Sequence, residues 1–216
     1  MTDELRARLQ SARLYLVSRP TDEASLEAAL RGGVDLLQLG GVSDATDEEI
    51  IAIAHRFKAV SDRYGVPLLL NGRPDLVEAA GADGVHLNAD EGAVAQARSI
   101  LGPDLVVGLW TKDETQVDAA AALDLDYISV GPINVTPTLD SHPAAGTELA
   151  VYASAHSRVP VFAIGGINAA NADEILATGV TGIAVLRVIA EAPDPERAAA
   201  ELKSALTRPA GDQLGE

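Results

Sequence analysis

Short runs of β-branched and aliphatic residues alternate along this chain with longer segments whose apolar positions recur at helical spacing. The runs fall at 14–17, 36–39, 67–70, 84–87, 105–109, 127–130, 161–164 and 182–186. Between them the helical pattern covers about 22–31, 46–64, 73–80, 90–101, 113–123, 147–157, 169–178 and 194–207. Such alternation is the mark of βαβ units around a parallel sheet. Eight units in 216 residues predict a single α/β domain closed as a (β/α)8 TIM barrel. An open doubly wound sheet is the competing architecture, because alternation alone does not prove closure.

Similar joints recur where a helix hands over to a strand. They read Arg31-Gly32-Gly33-Val34-Asp35, Ala80-Gly81-Ala82-Asp83-Gly84 and Thr178-Gly179-Val180-Thr181-Gly182. Glycine supplies the left-handed stop there and lets helix approach sheet. The barrel is expected over 1–207, with the first ten residues forming a short amphipathic helix across its floor. Residues 208–216 lack an apolar face and are expected to be a disordered tail.

Composition changes the picture mainly by exclusion. With no cysteine there is neither a disulfide framework nor a thiolate metal site. The charged N-terminus lacks an apolar signal core, and no run nears the roughly 18 apolar residues of a membrane span. The expected location is cytoplasmic. A net charge of −16, with only three lysines, repels nucleic acid and anionic membranes, so neither is an expected partner. The expected partner is a phosphorylated small molecule, and a homodimer is compatible with the sequence.

In a barrel of this kind the loops after the strands build the site, and the last two commonly bind phosphate through backbone N–H groups. After strand seven comes Ala163-Ile164-Gly165-Gly166-Ile167-Asn168, where residues without side chains let an anion approach the chain. Asn168 or Asn171 is placed to cap the next helix. After strand eight comes Val185-Leu186-Arg187. Gly165, Gly166, Leu186 and Arg187 are therefore the candidate phosphate-binding residues, although a glycine pair also serves a tight turn. Strand six runs into Val130-Gly131-Pro132-Ile133-Asn134-Val135-Thr136-Pro137-Thr138, whose hydroxyls at Thr136 and Thr138 can donate to phosphate oxygens from one extended face. The long segment to Gly146 is a candidate lid.

These segments, together with Ser11-Ala12-Arg13-Leu14-Tyr15-Leu16-Val17, Gly33-Val34-Asp35-Leu36-Leu37-Gln38-Leu39 and Ala80-Gly81-Ala82-Asp83-Gly84-Val85-His86-Leu87, resemble the thiamine-phosphate synthase family in order and spacing over nearly the whole chain. The resemblance implies a (β/α)8 barrel that joins 4-amino-5-hydroxymethyl-2-methylpyrimidine diphosphate to thiazole phosphate, releasing pyrophosphate with Mg2+. It also implies that Gln38, Asn71, Thr136 and Thr138 bind substrate and that Glu91, or Asp90 by a shift, is a magnesium ligand.

The departures from the family pattern matter as much. Gln-Leu-Arg-Glu-Lys after strand two becomes Gln38-Leu39-Gly40-Gly41-Val42, losing two pyrophosphate-binding cations. Asn-Asp-Arg after strand three becomes Asn71-Gly72-Arg73, losing a metal-binding carboxylate. Gly-x-Ser-x-His after strand five becomes Gly108-Leu109-Trp110-Thr111-Lys112, and the lysine after Thr-x-Thr is Leu139. Each preorganised charge contributes about 2–4 kcal/mol to such a transition state, so altered or weak activity is predicted. Lys112 and Arg73 are the cations placed to compensate, or else solvated surface charges.

The related thiazole tautomerase also shows Asn-Gly-Arg after strand three, which keeps a tautomerase-like or catalytically lapsed barrel as the alternative reading. There Lys112 would be the base. His86 sits at a strand end, facing either core or mouth. Trp110 either stacks on a heterocycle or plugs the mouth.

Overall fold

The structure, a computed structural model, describes residues 3–88, 91–137 and 142–208. Eight parallel strands close in sequence order into a barrel. They are β1 (Leu14–Ser18), β2 (Leu36–Leu39), β3 (Leu68–Asn71), β4 (Gly84–Leu87), β5 (Val106–Thr111), β6 (Tyr127–Val130), β7 (Val161–Ile164) and β8 (Gly182–Val185). The outer layer is α1 (Asp3–Ser11), α2 (Glu23–Arg31), α3 (Asp47–Tyr64), α4 (Val77–Ala80), α5 (Glu91–Leu101), α6 (Glu114–Ala120), α7 (Gly146–His156), α8 (Ala172–Leu176), α9 (Arg187–Ala190) and α10 (Pro195–Thr207). The segment expected as a helix over 73–80 splits into a 3-10 turn at Pro74–Leu76 and α4.

Strand alternation divides the core in two. Leu, Val and Ile on the outward face of each strand pack under the helices. Inside the barrel lie Tyr15, Leu36, Leu69, Val106, Tyr127, Phe162 and Ala184, closed from below by Leu9 and Ala12 at the end of α1. Gly108 makes room for one of the two tyrosines: a Cβ there would lie 2.1 Å from the Tyr127 ring.

The recurring joints have one shared purpose. The polar side chain just before each even-numbered strand accepts an N–H from the start of the preceding odd-numbered strand. Asp35 takes Leu14 at 2.9 Å, Asp83 takes Leu68 at 2.8 Å, Asp126 takes Val107 at 2.8 Å and Thr181 takes Val161 at 3.0 Å. These bonds satisfy strand N–H groups at the floor and leave the opposite rim to the site. No described helix is long and apolar enough to cross a membrane.

Candidate active site

Two adjoining cavities open at the carboxyl ends of the strands. The larger, about 520 Å3, is bordered by Thr136, Gly165, Gly166, Leu186, Arg187 and Glu191 among others. The smaller, about 220 Å3, sits over the barrel centre between Gln38, Asn71, His86, Asn88, Trp110 and Ser129. Ile164 and Leu186 line both, so a ring in one and a phosphate in the other would be neighbours.

The larger cavity is built from main chain. Gly165 and Gly166 hold φ of 104° and 63°, in the left-handed region that favours glycine. The loop after β6 is laced onto them: Ile133 N–H donates to the Ile164 carbonyl at 2.8 Å and Asn134 N–H to the Gly165 carbonyl at 3.1 Å. A Cβ on Gly166 would meet the Val135 carbonyl at 2.8 Å, so the tight approach itself demands glycine. The N–H groups of Gly166, Arg187 and Val188 have no hydrogen-bond acceptor among the described residues. Thr136, 8% exposed, closes the side.

Asn168 and Asn171 do not cap α8 with their side chains, as the sequence suggested. Asn171 Oδ1 accepts from Asn168 N–H at 2.8 Å, and its Nδ2 donates to the Gly166 carbonyl at 3.0 Å. Asn171 thus braces the glycine turn, while Asn168 Oδ1 accepts from Ala170 N–H at 2.8 Å in the turn before α8. Sequence reasoning missed α9, because Val188-Ile189-Ala190 is too short a run to show a period.

The smaller cavity is built from side chains. Gln38 on β2, Asn71 on β3, His86 on β4 and Ser129 on β6 all point inward, because strand alternation aims every second residue at the barrel axis. Gln38 Nε2 donates to Asn71 Oδ1 at 2.9 Å. Beneath them Tyr15 donates to Gln38 Oε1 and lies 3.0 Å from the Tyr127 hydroxyl. His86 Nδ1 is 2.7 Å from that same Tyr127 hydroxyl, and Nε2 is 3.3 Å from Ser129 Oγ. His86 thus faces both core and mouth. Burial pushes its pKa down to about 4 and raises those of both tyrosines, so all three are neutral at pH 7.

Trp110 narrows this cavity, with its indole N–H donating to the Gly131 carbonyl at 2.9 Å. The Lys112 ammonium lies 4.8 Å from the centre of the Trp110 ring, an attractive placement for a cation over an electron-rich face. Among the described residues no carboxylate pairs with Lys112, Arg19 or Arg187. Arg19, which the sequence reading passed over, lays its stem against Gly41: a Cβ at that glycine would sit 2.7 Å from Arg19 Cγ. Arg73 is engaged elsewhere, bonded to Asp47 at 2.8 Å and Asp75 at 2.6 Å.

The structure therefore gathers Gln38 and Asn71 in one cavity and Thr136, Gly165, Gly166, Leu186 and Arg187 in its neighbour. Thr138 lies outside the described residues, as does the side chain of Glu91 at the start of α5. No group of three or more His, Asp or Glu residues among the described ones could hold a metal ion. The described lining of the central cavity offers amides, an imidazole, a hydroxyl and an indole, without the carboxylates that magnesium prefers.

Known proteins resemble this one along nearly its whole length. The family described as thiamine monophosphate synthase matches residues 14–189. A thiamine-phosphate synthase from Thermobifida fusca is 42% identical over 215 residues, covering 95% of this chain and 97% of that protein. Another from Thermosynechococcus vestitus is 40% identical over 202 residues, 93% of this chain but 57% of its own. The chain thus spans a little under three fifths of some longer relatives. A thiamine phosphate pyrophosphorylase from Pyrococcus furiosus superposes with a TM-score of 0.84 at 29% identity, covering 94% of this chain and 97% of that one. The backbone-lined corner, the amide-lined mouth and these matches agree: the chain belongs to the thiamine monophosphate synthase family.

Proposed function

We propose that this protein is a thiamine-phosphate synthase, joining the hydroxymethylpyrimidine of a diphosphate ester to thiazole phosphate. The observation that carries this reading is the adjacency of the two cavities, which share Ile164 and Leu186. A cavity of about 220 Å3 suits one substituted ring, since roughly 150 Å3 already holds benzene. Gln38 and Asn71 take the pyrimidine edge. The amides of Gly166, Arg187 and Val188, with Thr136 and Thr138, take the thiazole phosphate.

As the bond to diphosphate breaks, positive charge develops on the pyrimidine methylene and negative charge on the departing oxygens. The ring nitrogen of the thiazole must be held in line with that methylene, and the departing anion must be met by cations. Among the described residues Arg19 and Lys112 pair with no carboxylate and lie against Gly41 and Trp110 of the smaller cavity, and we assign them to the diphosphate. Glu91 is the residue assigned to magnesium. With fewer cations than the family pattern, the diphosphate half is the weaker half, and reduced turnover is expected.

The test is direct. Purified protein, both substrates and Mg2+ should release pyrophosphate and form thiamine phosphate. If neither product appears while thiazole phosphate still raises the melting temperature, the barrel binds but does not join, and the synthase reading fails.

A further inference from the structure

Two tyrosine hydroxyls lie at the centre of the barrel, below the mouth cavity and outside its lining. Hydrophobic packing alone does not require them, since phenylalanine would fill the same volume. Their bonds link four mouth residues into one chain: Asn71, Gln38, Tyr15, Tyr127, His86 and Ser129 in succession.

Such a chain has a direction, because each hydroxyl carries a single proton. The structure turns Oε1 of Gln38 toward Tyr15 and Nε2 toward Asn71 Oδ1. A carbonyl oxygen can only accept, so the Tyr15 proton is committed to Gln38. The 3.0 Å contact between hydroxyls is then a bond only if Tyr127 donates to Tyr15. With its own proton spent, Tyr127 can only accept from His86, so Nδ1 of that imidazole carries the hydrogen. In the neutral ring Nε2 is then bare, with Ser129 Oγ as its donor.

We infer that Tyr15 and Tyr127 are positioning residues: they run this chain one way, fix His86 as its Nδ1–H tautomer and thereby set the polarity of the mouth. Asn71 and Gln38 turn amide N–H groups to the cavity, while Ser129 Oγ, its proton given to His86 Nε2, turns acceptor lone pairs to it. Asn71, Gln38 and Ser129 line one cavity, so donors and acceptor face the same ligand. That lining fits a ring that offers a bare nitrogen and an exocyclic amino group together. A ring nitrogen bearing hydrogen beside a carbonyl, held in the same orientation by its 5-substituent, meets donor with donor and acceptor with acceptor. The ligand part of this inference rests on the synthase reading; the tautomer part does not.

The tautomer is read directly by long-range 1H–15N correlation on the wild-type chain with labelled histidine. The His86 signals are those lost in His86→Asn and still neutral at pH 5.5. A protonated Nδ1 is expected. A protonated Nε2, or a mixture of both forms, means the chain runs the other way or not at all, and overturns the inference.

The polarity is read by calorimetric binding of 4-amino-5-hydroxymethyl-2-methylpyrimidine diphosphate against its 4-oxo counterpart. Wild type should favour the amino compound at least about tenfold. Tyr127→Phe, which cuts the chain in the middle, should bring the two within about threefold while its far-UV circular dichroism stays native. Tyr15→Phe serves the same purpose if the first variant does not fold. Discrimination unchanged in a folded variant, or binding of neither compound, overturns the specificity claim. Absence of turnover with discrimination intact would count against the synthase reading alone.

Discussion

The cavity at the glycine corner and the cavity over the barrel centre share two residues yet are made of different material. Around Gly165 and Gly166 the contacts are peptide groups held by the fold itself: left-handed glycines, a laced loop and the bracing side chain of Asn171. Around Gln38 and His86 the contacts are side chains, and their orientation depends on hydroxyls buried a layer below. Main chain cannot be substituted away, whereas a side-chain relay can be broken by one atom. Substitutions should therefore disturb the side-chain cavity readily while the main-chain corner persists.

Gly166 is where the contrast should break hardest. In Gly166→Ala the new Cβ sits 2.7 Å from Asn134 Cβ and 2.8 Å from the Val135 carbonyl, in a backbone region disfavoured for alanine. The corner must open, taking its amides off the phosphate. Loss of one such preorganised donor costs about 100- to 1000-fold, so kcat/KM for thiazole phosphate should fall by that order. A fall under fivefold in steady-state assays would move the phosphate elsewhere.

The uneven legibility of the sequence follows from the same contrast. Four of the eight strands begin and end as the apolar runs do, because strands buried on both faces are simply hydrophobic. The glycine pair announces the corner, since its chemistry is local. The ring cavity was legible only through Gln38 and Asn71. Tyr15 and Tyr127 are separated by 112 positions and look like core aromatics until barrel closure brings their hydroxyls together. Arg19 was missed for a related reason: nothing in the sequence shows that its stem would occupy the hollow left by Gly41.

The two halves should also part company in acid. Burial holds the His86 pKa near 4, below its ordinary value of 6.5, so the unfolded chain takes up this proton first as pH falls. Stability is then full above about pH 6.5 and declines toward about pH 4, by about 3 kcal/mol over the whole window. Urea midpoints at pH 7 and pH 5 should show part of this loss in wild type and less of it in His86→Asn. An equal slope in both proteins would assign the loss to other groups.

Smaller effects belong to the rim. Arg19→Gln and Lys112→Gln should each raise KM for the pyrimidine diphosphate about tenfold, near 1.4 kcal/mol, and leave KM for thiazole phosphate within a factor of two. Their effect should shrink as salt screens the rim. Equal change in both constants would mean that these cations tune the whole surface of a chain with net charge −16 rather than one subsite.

Arg73 supplies the smallest effect and the sharpest control. It follows Asn71 by two residues, so proximity in sequence alone would enlist it in the site. Its guanidinium is already shared between Asp47 and Asp75, which hold its pKa above the ordinary value. Both carboxylates are exposed, and exposed ion pairs contribute up to about 1 kcal/mol. Arg73→Gln should therefore shift the urea midpoint by no more than that and leave kcat/KM for both substrates within about twofold. A tenfold loss confined to the diphosphate substrate would show that Arg73 leaves its carboxylates when substrate arrives, and the rim would then hold three cations instead of two.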